Sequence, residues 1–322
     1  SPSYFYNYSD WEEFDLDGHQ IPGSHRLALA LYSLIFLLGV LGNGAVIWVV
    51  ARGLRRTVNG VWFLNLALAD LTCCLALPFL ALPLAQDHHW PLGHLACKLL
   101  PSLTVLAMFC GVLLLTAISA DRCALATRPV WCHNHRTPAL ARLASGACWL
   151  LATLLTLPSF IFRSLRHDPF SSKTTCTLDY AAVAGHQQLT ERAVAIVRFL
   201  CGFLGPLVAI AGCYGLLLAR VRSRGLGHSQ RATKLVLVIV ISFFVCWLPF
   251  HVVGLILATS SPASSLFKGA SNADPVVAAI AYINSCLNPF IYVAMGHRLC
   301  KRVRGSWRGA LRGALADDPP SS

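Results

Sequence analysis

The sequence predicts an all-α membrane fold, a seven-transmembrane helix bundle with a short amphipathic helix on its inner face. Three observations predict it. Seven long apolar stretches recur along 322 residues, of which 56% are hydrophobic and only 12% charged. Nearly every stretch carries a lone polar residue or a proline at bilayer depth. Basic residues crowd the ends that would face one side of the membrane. A soluble chain of this length would split into two or three domains with far more charge on their surfaces. Only closed backbone hydrogen bonding survives in lipid, so seven crossings mean seven helices.

The first stretch, residues 27–51, has no charged side chain and carries Gly42-Asn43 near its middle. A run of about 20 residues crosses the ~30 Å hydrocarbon core as a helix, so this stretch is long enough. The second, residues 61–85, holds one charge, Asp70, within Leu66-Ala67-Leu68-Ala69-Asp70. An intramembrane carboxylate is costly and faces the bundle interior with a partner. It reads either as a neutral, hydrogen-bonded acid joining helices or as a cation or proton site that biases their arrangement. The third stretch, residues 99–120, is uncharged and ends in Ser119-Ala120-Asp121-Arg122-Cys123, with Pro129 beyond. An Asp-Arg pair at a membrane boundary also suits simple interfacial anchoring. The fourth and fifth, residues 143–162 and 199–219, are uncharged, and the fifth contains Pro206. The sixth, residues 235–259, holds only His251 and carries Cys246-Trp247-Leu248-Pro249. The seventh, residues 275–295, is uncharged and contains Asn284-Ser285 and Asn288-Pro289-Phe290-Ile291-Tyr292. Proline removes a helical hydrogen bond and bends its helix, so Pro206, Pro249 and Pro289 read as hinges beside Trp247 and Tyr292.

After the seventh stretch, Leu299, Val303, Trp307, Leu311 and Leu315 recur every fourth residue among Arg298, Lys301, Arg302, Arg304, Arg308 and Arg312. That pattern predicts a basic amphipathic helix on the anionic inner leaflet. Cys300 is a candidate for palmitoylation. The tail beyond offers only Ser321 and Ser322 as phosphate acceptors, so recruitment of arrestin by tail phosphorylation reads as weak.

The formal net charge is +12. With residue 1 outside, the inner segments hold most of the 26 Lys and Arg residues, among them Arg52, Arg55, Arg56, Arg220, Arg222, Arg224, Arg231 and Lys234. Most of the 14 acidic residues fall outside, which is the positive-inside pattern. Basic residues hugging helix ends are ordinary membrane topology, so nucleic acid is set aside as a partner. The chain opens at Ser1 without Met and reads as trimmed; its first apolar run is too long and too far in for a signal peptide. Of 13 cysteines, all but Cys97 and Cys176 fall within helices or on the inner face, where thiols stay reduced. Those two allow one pairing, and a Cys97–Cys176 bond would tie a long outer loop over the bundle.

Residues 1–25 form an acidic outer tail in which Tyr4, Tyr6 and Tyr8 precede Asp10, Glu12, Glu13, Asp15 and Asp17. The tyrosines are sulfation candidates, and Asn7-Tyr8-Ser9 is a glycosylation sequon. A tail this negative attracts a basic polypeptide and raises its encounter rate, an effect that salt screens. Residues 26–296 make the membrane domain, and residues 297–322 the juxtamembrane helix and tail. A metal-spaced His/Cys cluster, a nucleophile–base pair and a phosphate loop are all missing from the pattern, so the sequence is not read as an enzyme. A transporter working through Asp70 would show internal repeats with paired broken helices, and none is found.

The set Gly42-Asn43, Leu66 to Asp70, Asp121-Arg122, Trp149, Pro206 with Tyr214, Phe243 with Cys246 to Pro249, and Asn288 to Tyr292 resembles the rhodopsin-like (class A) G-protein-coupled receptors, through all seven helices in order. Within that family, His89 to Gly93, Pro129 to Asn134, Pro158-Ser159-Phe160, Glu191 to Arg198 and Ala281 to Asn284 resemble the complement-anaphylatoxin branch of the chemoattractant receptors. Formyl-peptide and chemerin receptors share Asp121-Arg122-Cys123 and Arg198 to Phe203, but lack the run around Glu191 and the His-Trp-Pro-Leu-Gly loop in this form.

The resemblance implies a basic polypeptide ligand, complement component 5a, read at its carboxyl end. Arg198 would meet the terminal carboxylate and Asp274 a basic side chain. Arg163, Asp179 and Glu191 would surround the mouth, and Pro101, Met108, Phe250 and Val277 would line an apolar floor. Asp70, Asn284, Asn288, Tyr292, Trp247, Phe243 and Pro206 would form the switch. Inside, Asp121, Arg122, Tyr214 and the loop residue Val130 would engage a heterotrimeric G protein of the inhibitory class, driving leukocyte chemotaxis. No cofactor is implied beyond a sodium ion at Asp70 as an allosteric modulator. Gly111 stands where the family often places a serine of that site, which weakens it. Cys123 replaces the usual Tyr, and Ser229 stands where rhodopsin has an acid locking Arg122. Some other contact must then hold the resting state. A retinal protein would need a lysine in the seventh stretch, and residues 275–295 have none. A scavenging receptor that binds without signalling would be expected to lack Arg122.

Overall fold

The structure, a computed structural model, describes residues 22–54, 56–86, 88–169, 172–183, 185–224 and 230–299, with residues 309, 311, 312 and 315. Tyr4, Tyr6, Asn7, Tyr8, Ser229, Cys300, Ser321 and Ser322 lie outside the described residues. The helices are α1 (Gly23–Gly53), α2 (Val58–Ala85), α3 (Gly93–Thr127), α4 (Pro129–His135), α5 (Pro138–Ile161), α6 (Gln187–Phe199), α7 (Gly205–Arg224), α8 (Gln230–Thr259) and α9 (Ser265–Leu299). With α6 and α7 joined as one crossing, seven spans are long and apolar enough to cross a membrane.

Local chemistry sets the ends. Thr57 caps α2 by accepting from the Gly60 amide at 3.0 Å, and Thr137 caps α5 by accepting from Leu140 at 3.2 Å. Pro129 and Pro138 occupy first turns, where a missing N–H costs nothing. α3 runs on to Thr127, so Asp121 and Arg122 stand inside a helix rather than at its end. The break comes at Arg128, because the residue before a proline is pushed out of helical geometry. Leu143, Leu150, Leu154, Leu157 and Ile161 leave the outer face of α5 exposed and apolar, as lipid requires.

α3 runs through the middle of the bundle, against α2, α5, α7 and α8, while α1 packs on α2 and α9. Two glycines permit the α1 contacts. A Cβ at Gly39 would lie 2.2 Å from Cys74 Sγ, and one at Gly42 would lie 2.9 Å from Pro289 Cγ. Pro289 has no N–H to offer the carbonyl four residues back, that of Ser285. Asn43 Nδ2 donates to that carbonyl instead, at 2.7 Å, so the Gly42-Asn43 motif mends the break that the proline makes.

Between α6 and α7 lies a π-helical turn, Leu200–Leu204, which the sequence reading of Pro206 as a plain bend did not predict. The Gly205 amide donates to Leu200 O five residues back, and a Cβ at Gly205 would sit 2.8 Å from that oxygen. A bulge of this kind inserts one residue into a helix.

Outside, β1 (Arg163–His167) pairs antiparallel with β2 (Thr174–Leu178), placing Leu165 opposite Cys176. The pairing Cys97–Cys176 is present, with the two Cα atoms 5.6 Å apart and the cysteines 79 positions apart in sequence. Trp90 N donates to Thr174 O at 2.7 Å and so fastens the hairpin to the turn before α3. Replacing either cysteine by alanine is expected to cost about 2–4 kcal/mol of stability through the freed loop. The double variant should be no worse than either single one, as thermal unfolding of the purified protein would read. Additive losses would mean that the thiols act separately.

Past α9, the described Leu311 and Leu315 are buried in the core, and a Cβ on Gly53 would come within 3.2 Å of Arg312 Nη2. These two leucines face protein, where the amphipathic pattern had placed them toward the leaflet.

Candidate functional site

Three charged side chains gather beneath the hairpin. Arg163 opens β1, Arg198 lies in the last turn of α6, and Asp274 precedes Pro275 in α9. Arg163 interacts electrostatically with Arg198, Asp274, Tyr180 and Tyr282, and Arg198 with Asp274 and both tyrosines. Burial first, and the Arg198 guanidinium second, lower the Arg163 pKa to about 10, which leaves it cationic at neutral pH. Among the described residues neither arginine closes a salt bridge with Asp274. The mouth therefore holds two cations and one anion at close quarters without a closed pair. Such an array suits a ligand that brings both signs of charge.

The other residues expected at the mouth divide. Asp179 lies just past β2, taking the Ala181 amide at 2.8 Å and Arg166 at 3.9 Å, apart from the three. Glu191 is exposed on α6, and its charge reaches Tyr180. Pro101, Phe250 and Val277 are half-buried, whereas Met108 is fully buried, with its Cε 3.1 Å from where a Cβ on Gly202 would be. Tyr282, absent from the expected set, is buried and donates to Thr104 Oγ1 at 3.4 Å.

Below the mouth an aromatic column begins. The Trp247 ring lies 5.4 Å from Phe250, 5.9 Å from Phe243 and 6.3 Å from Tyr282, centroid to centroid. His251 is 3% exposed among Phe199, Phe203, Trp247 and Phe250. Buried Pro206 follows the π turn that brings Gly202 against this cluster. Gly111 belongs here too, since a Cβ on it would meet Phe243 Cε2 at 3.6 Å.

Deeper still, Asn288 Nδ2 donates to Asp70 Oδ2 at 2.8 Å, the partner that an intramembrane carboxylate requires. Asn43 Oδ1, Asn284 Oδ1 and Asn288 Oδ1 are buried without a hydrogen-bond partner, so the polar layer of α1 and α9 retains acceptor capacity beside Asp70. Tyr292 is buried edge-on to Phe63 at 5.1 Å, its hydroxyl unbonded.

At the inner end Arg122 is 7% exposed and donates through Nη2 to Asn59 Oδ1 of α2. Arg136, between α4 and α5, grips Asp121 through two bonds of 2.8 and 3.0 Å and also donates to Asn59 Oδ1 at 3.1 Å. Arg122 itself stands 3.7 Å from Asp121. Tyr214 donates to Thr233 O at 3.4 Å, joining α7 to α8, and Val130 on α4 is 77% exposed. Sequence reasoning missed Asn59 and Arg136. Arg136 was one more inner basic residue in the charge pattern, and Asn59 had no signal at all.

Residues 42–292 match the family described as 7 transmembrane receptor (rhodopsin family). The C5a anaphylatoxin chemotactic receptor 1 of Oryctolagus cuniculus is 48% identical over 91% of this chain and 83% of the relative. The receptor of the same name from Homo sapiens is 45% identical over 91% and 82%. That of Rattus norvegicus is 43% identical over 97% and 90%.

Proposed function

The chain belongs to the rhodopsin family of seven-transmembrane receptors, and from that premise we propose that it is the plasma-membrane receptor through which complement component 5a drives exchange on inhibitory-class heterotrimeric G proteins. Relatives named for C5a, matched over nine-tenths of the chain, support the ligand. The observation that carries the mechanism is the two-signed outer mouth without a closed pair, set above the buried Trp247–Phe243 aromatics, in a bundle whose inner end encloses Arg122.

The carboxyl end of the ligand enters the mouth with its carboxylate toward Arg198 and its basic side chain toward Asp274. Its apolar part rests on Pro101, Phe250 and Val277, with Met108 beneath. Contact with Phe250 and Tyr282 bears on Trp247, and through Phe243 on the hinge at Pro249. An agonist shifts such an equilibrium only by its differential affinity for the two states, so these contacts must be better made when α8 has swung out. Arg122, Tyr214 and Val130 then meet the G protein, and leukocyte chemotaxis is the cellular outcome. Asp70, Asn284 and Asn288 would hold a sodium ion, whose charge would favour the closed bundle.

The test is to express the full chain and titrate component 5a, a formyl peptide and chemerin against nucleotide exchange on the inhibitory-class heterotrimer. Component 5a should act at the lowest concentration. Exchange driven by either of the others with component 5a silent overturns the ligand, and binding of component 5a without exchange makes the chain a scavenger.

A further inference from the structure

Resting on the coupling reading above, we infer that Asn59 holds Arg122 back from the G protein, and that Arg136 draws Asp121 off Arg122 and thereby sets how readily the arginine is released.

The distances assign the roles. Hydrogen bonds from nitrogen to oxygen run at about 2.7–3.2 Å, so the 3.7 Å approach of Arg122 to Asp121 is an ion pair without a hydrogen bond. The Arg136 fork meets the same carboxylate at 2.8 and 3.0 Å, one bond to each oxygen. Paired, parallel N–H donors of this kind make the strongest contacts a carboxylate finds on a protein. Asp121 is thus committed to the loop arginine, and its neighbour in sequence is left a poor share. Among the described contacts, the hydrogen bond that fastens Arg122 is the one it donates to Asn59 Oδ1, and Asn59 is 1% exposed in the first turn of α2 and carries no charge. Side-chain exposures of 6% for Arg122, 11% for Asp121 and 16% for Arg136 keep water from weakening the competition. This arrangement supplies a restraint in a chain whose sequence has Ser229, outside the described residues, where rhodopsin has an acid locking its arginine.

The two positioning residues therefore carry opposite signs. Without Asn59, Arg122 loses its hydrogen-bonded anchor and projects inward more often. Without Arg136, the nearest described cation to Asp121 is Arg122, so the carboxylate turns to it and the arginine is held harder.

The experiment uses the full chain in lipid discs with purified inhibitory-class heterotrimer, reading exchange with and without component 5a. Asn59→Ala is expected to raise agonist-free exchange roughly threefold to tenfold, the net value of one ordinary intramolecular hydrogen bond. Arg136→Gln is expected to raise the half-maximal component 5a concentration by a similar roughly threefold to tenfold factor, and Arg136→Lys by less. Adding Asp121→Asn to Arg136→Gln should abolish that increase, a rescue that a merely structural role for Arg136 would not give. Arg136→Gln that raises agonist-free exchange, leaves potency unchanged, or is not rescued overturns the inference while the coupling reading stands. A wild-type chain that binds component 5a and drives no exchange removes both.

Discussion

Arg198→Ala is expected to cost a peptide with a free terminal carboxylate more than tenfold in potency and to leave the carboxyl-amidated analogue nearly unaffected. The basis is the state of the mouth. Arg198 and Asp274 are close enough to interact but form no closed pair, so each is available to a ligand group of opposite sign. Truncating one partner of a desolvated charge contact costs ~2–5 kcal/mol. Arg163 remains beside the vacated position, so the loss should be incomplete, and Arg163→Ala added to Arg198→Ala should remove the remainder. Asp274→Ala should act on the other end of the chemistry, penalising peptides that end in arginine more than those in which it is neutralised. The measurement is competition binding with matched acid and amide peptides. Equal losses for both would mean that Arg198 only supports the fold of the mouth.

Arg122→Ala is expected to abolish agonist-driven exchange while component 5a binding without G protein stays measurable. The residue lies toward the inner end of α3, far along the helix from the mouth, and its described contacts include Asn59 and Asp121. By linkage the variant should also lose the gain in agonist affinity that added G protein confers. Exchange and binding on the same membranes read both effects. Normal exchange from Arg122→Ala would remove the coupling role.

The seven crossings were legible in the sequence because lipid imposes a coarse rule, about 20 apolar residues per helix, and the residues that violate it stand out. Asp70 and Asn288 were such violations, and they bond to one another. The disulfide was legible for a similar reason, since few cysteines lay on the oxidising side. The π turn at Leu200–Leu204 was not, because nothing in a hydropathy profile distinguishes an inserted residue from a bend at Pro206. Arg136 and Asn59 were hidden differently. Their meaning lies in which side chains meet from α2, α3 and the segment after α4, separated by up to 77 residues in sequence. Leu311 and Leu315 fitted the amphipathic repeat well, yet a periodic apolar face says only that something covers it. Here that cover is the bundle.

The π turn has a further consequence, one of phase. Because it adds a single residue to an otherwise continuous crossing, the outer segment 187–199 is rotated by about 100° relative to where a regular helix would carry it from α7. Arg198 points to the mouth only with that offset. Closing the helix regularly with every residue kept would carry Arg198 to the half-exposed place that Val197 now holds and bring Phe199 round to the ligand side, whereas deleting one residue between positions 200 and 204 would leave Arg198 facing the mouth. The inner segment, with Tyr214 and its bond to Thr233, would keep its place. What looks like one rod is therefore two, keyed together at Gly205, and the face offered to a ligand is set by the key as much as by the residues on it.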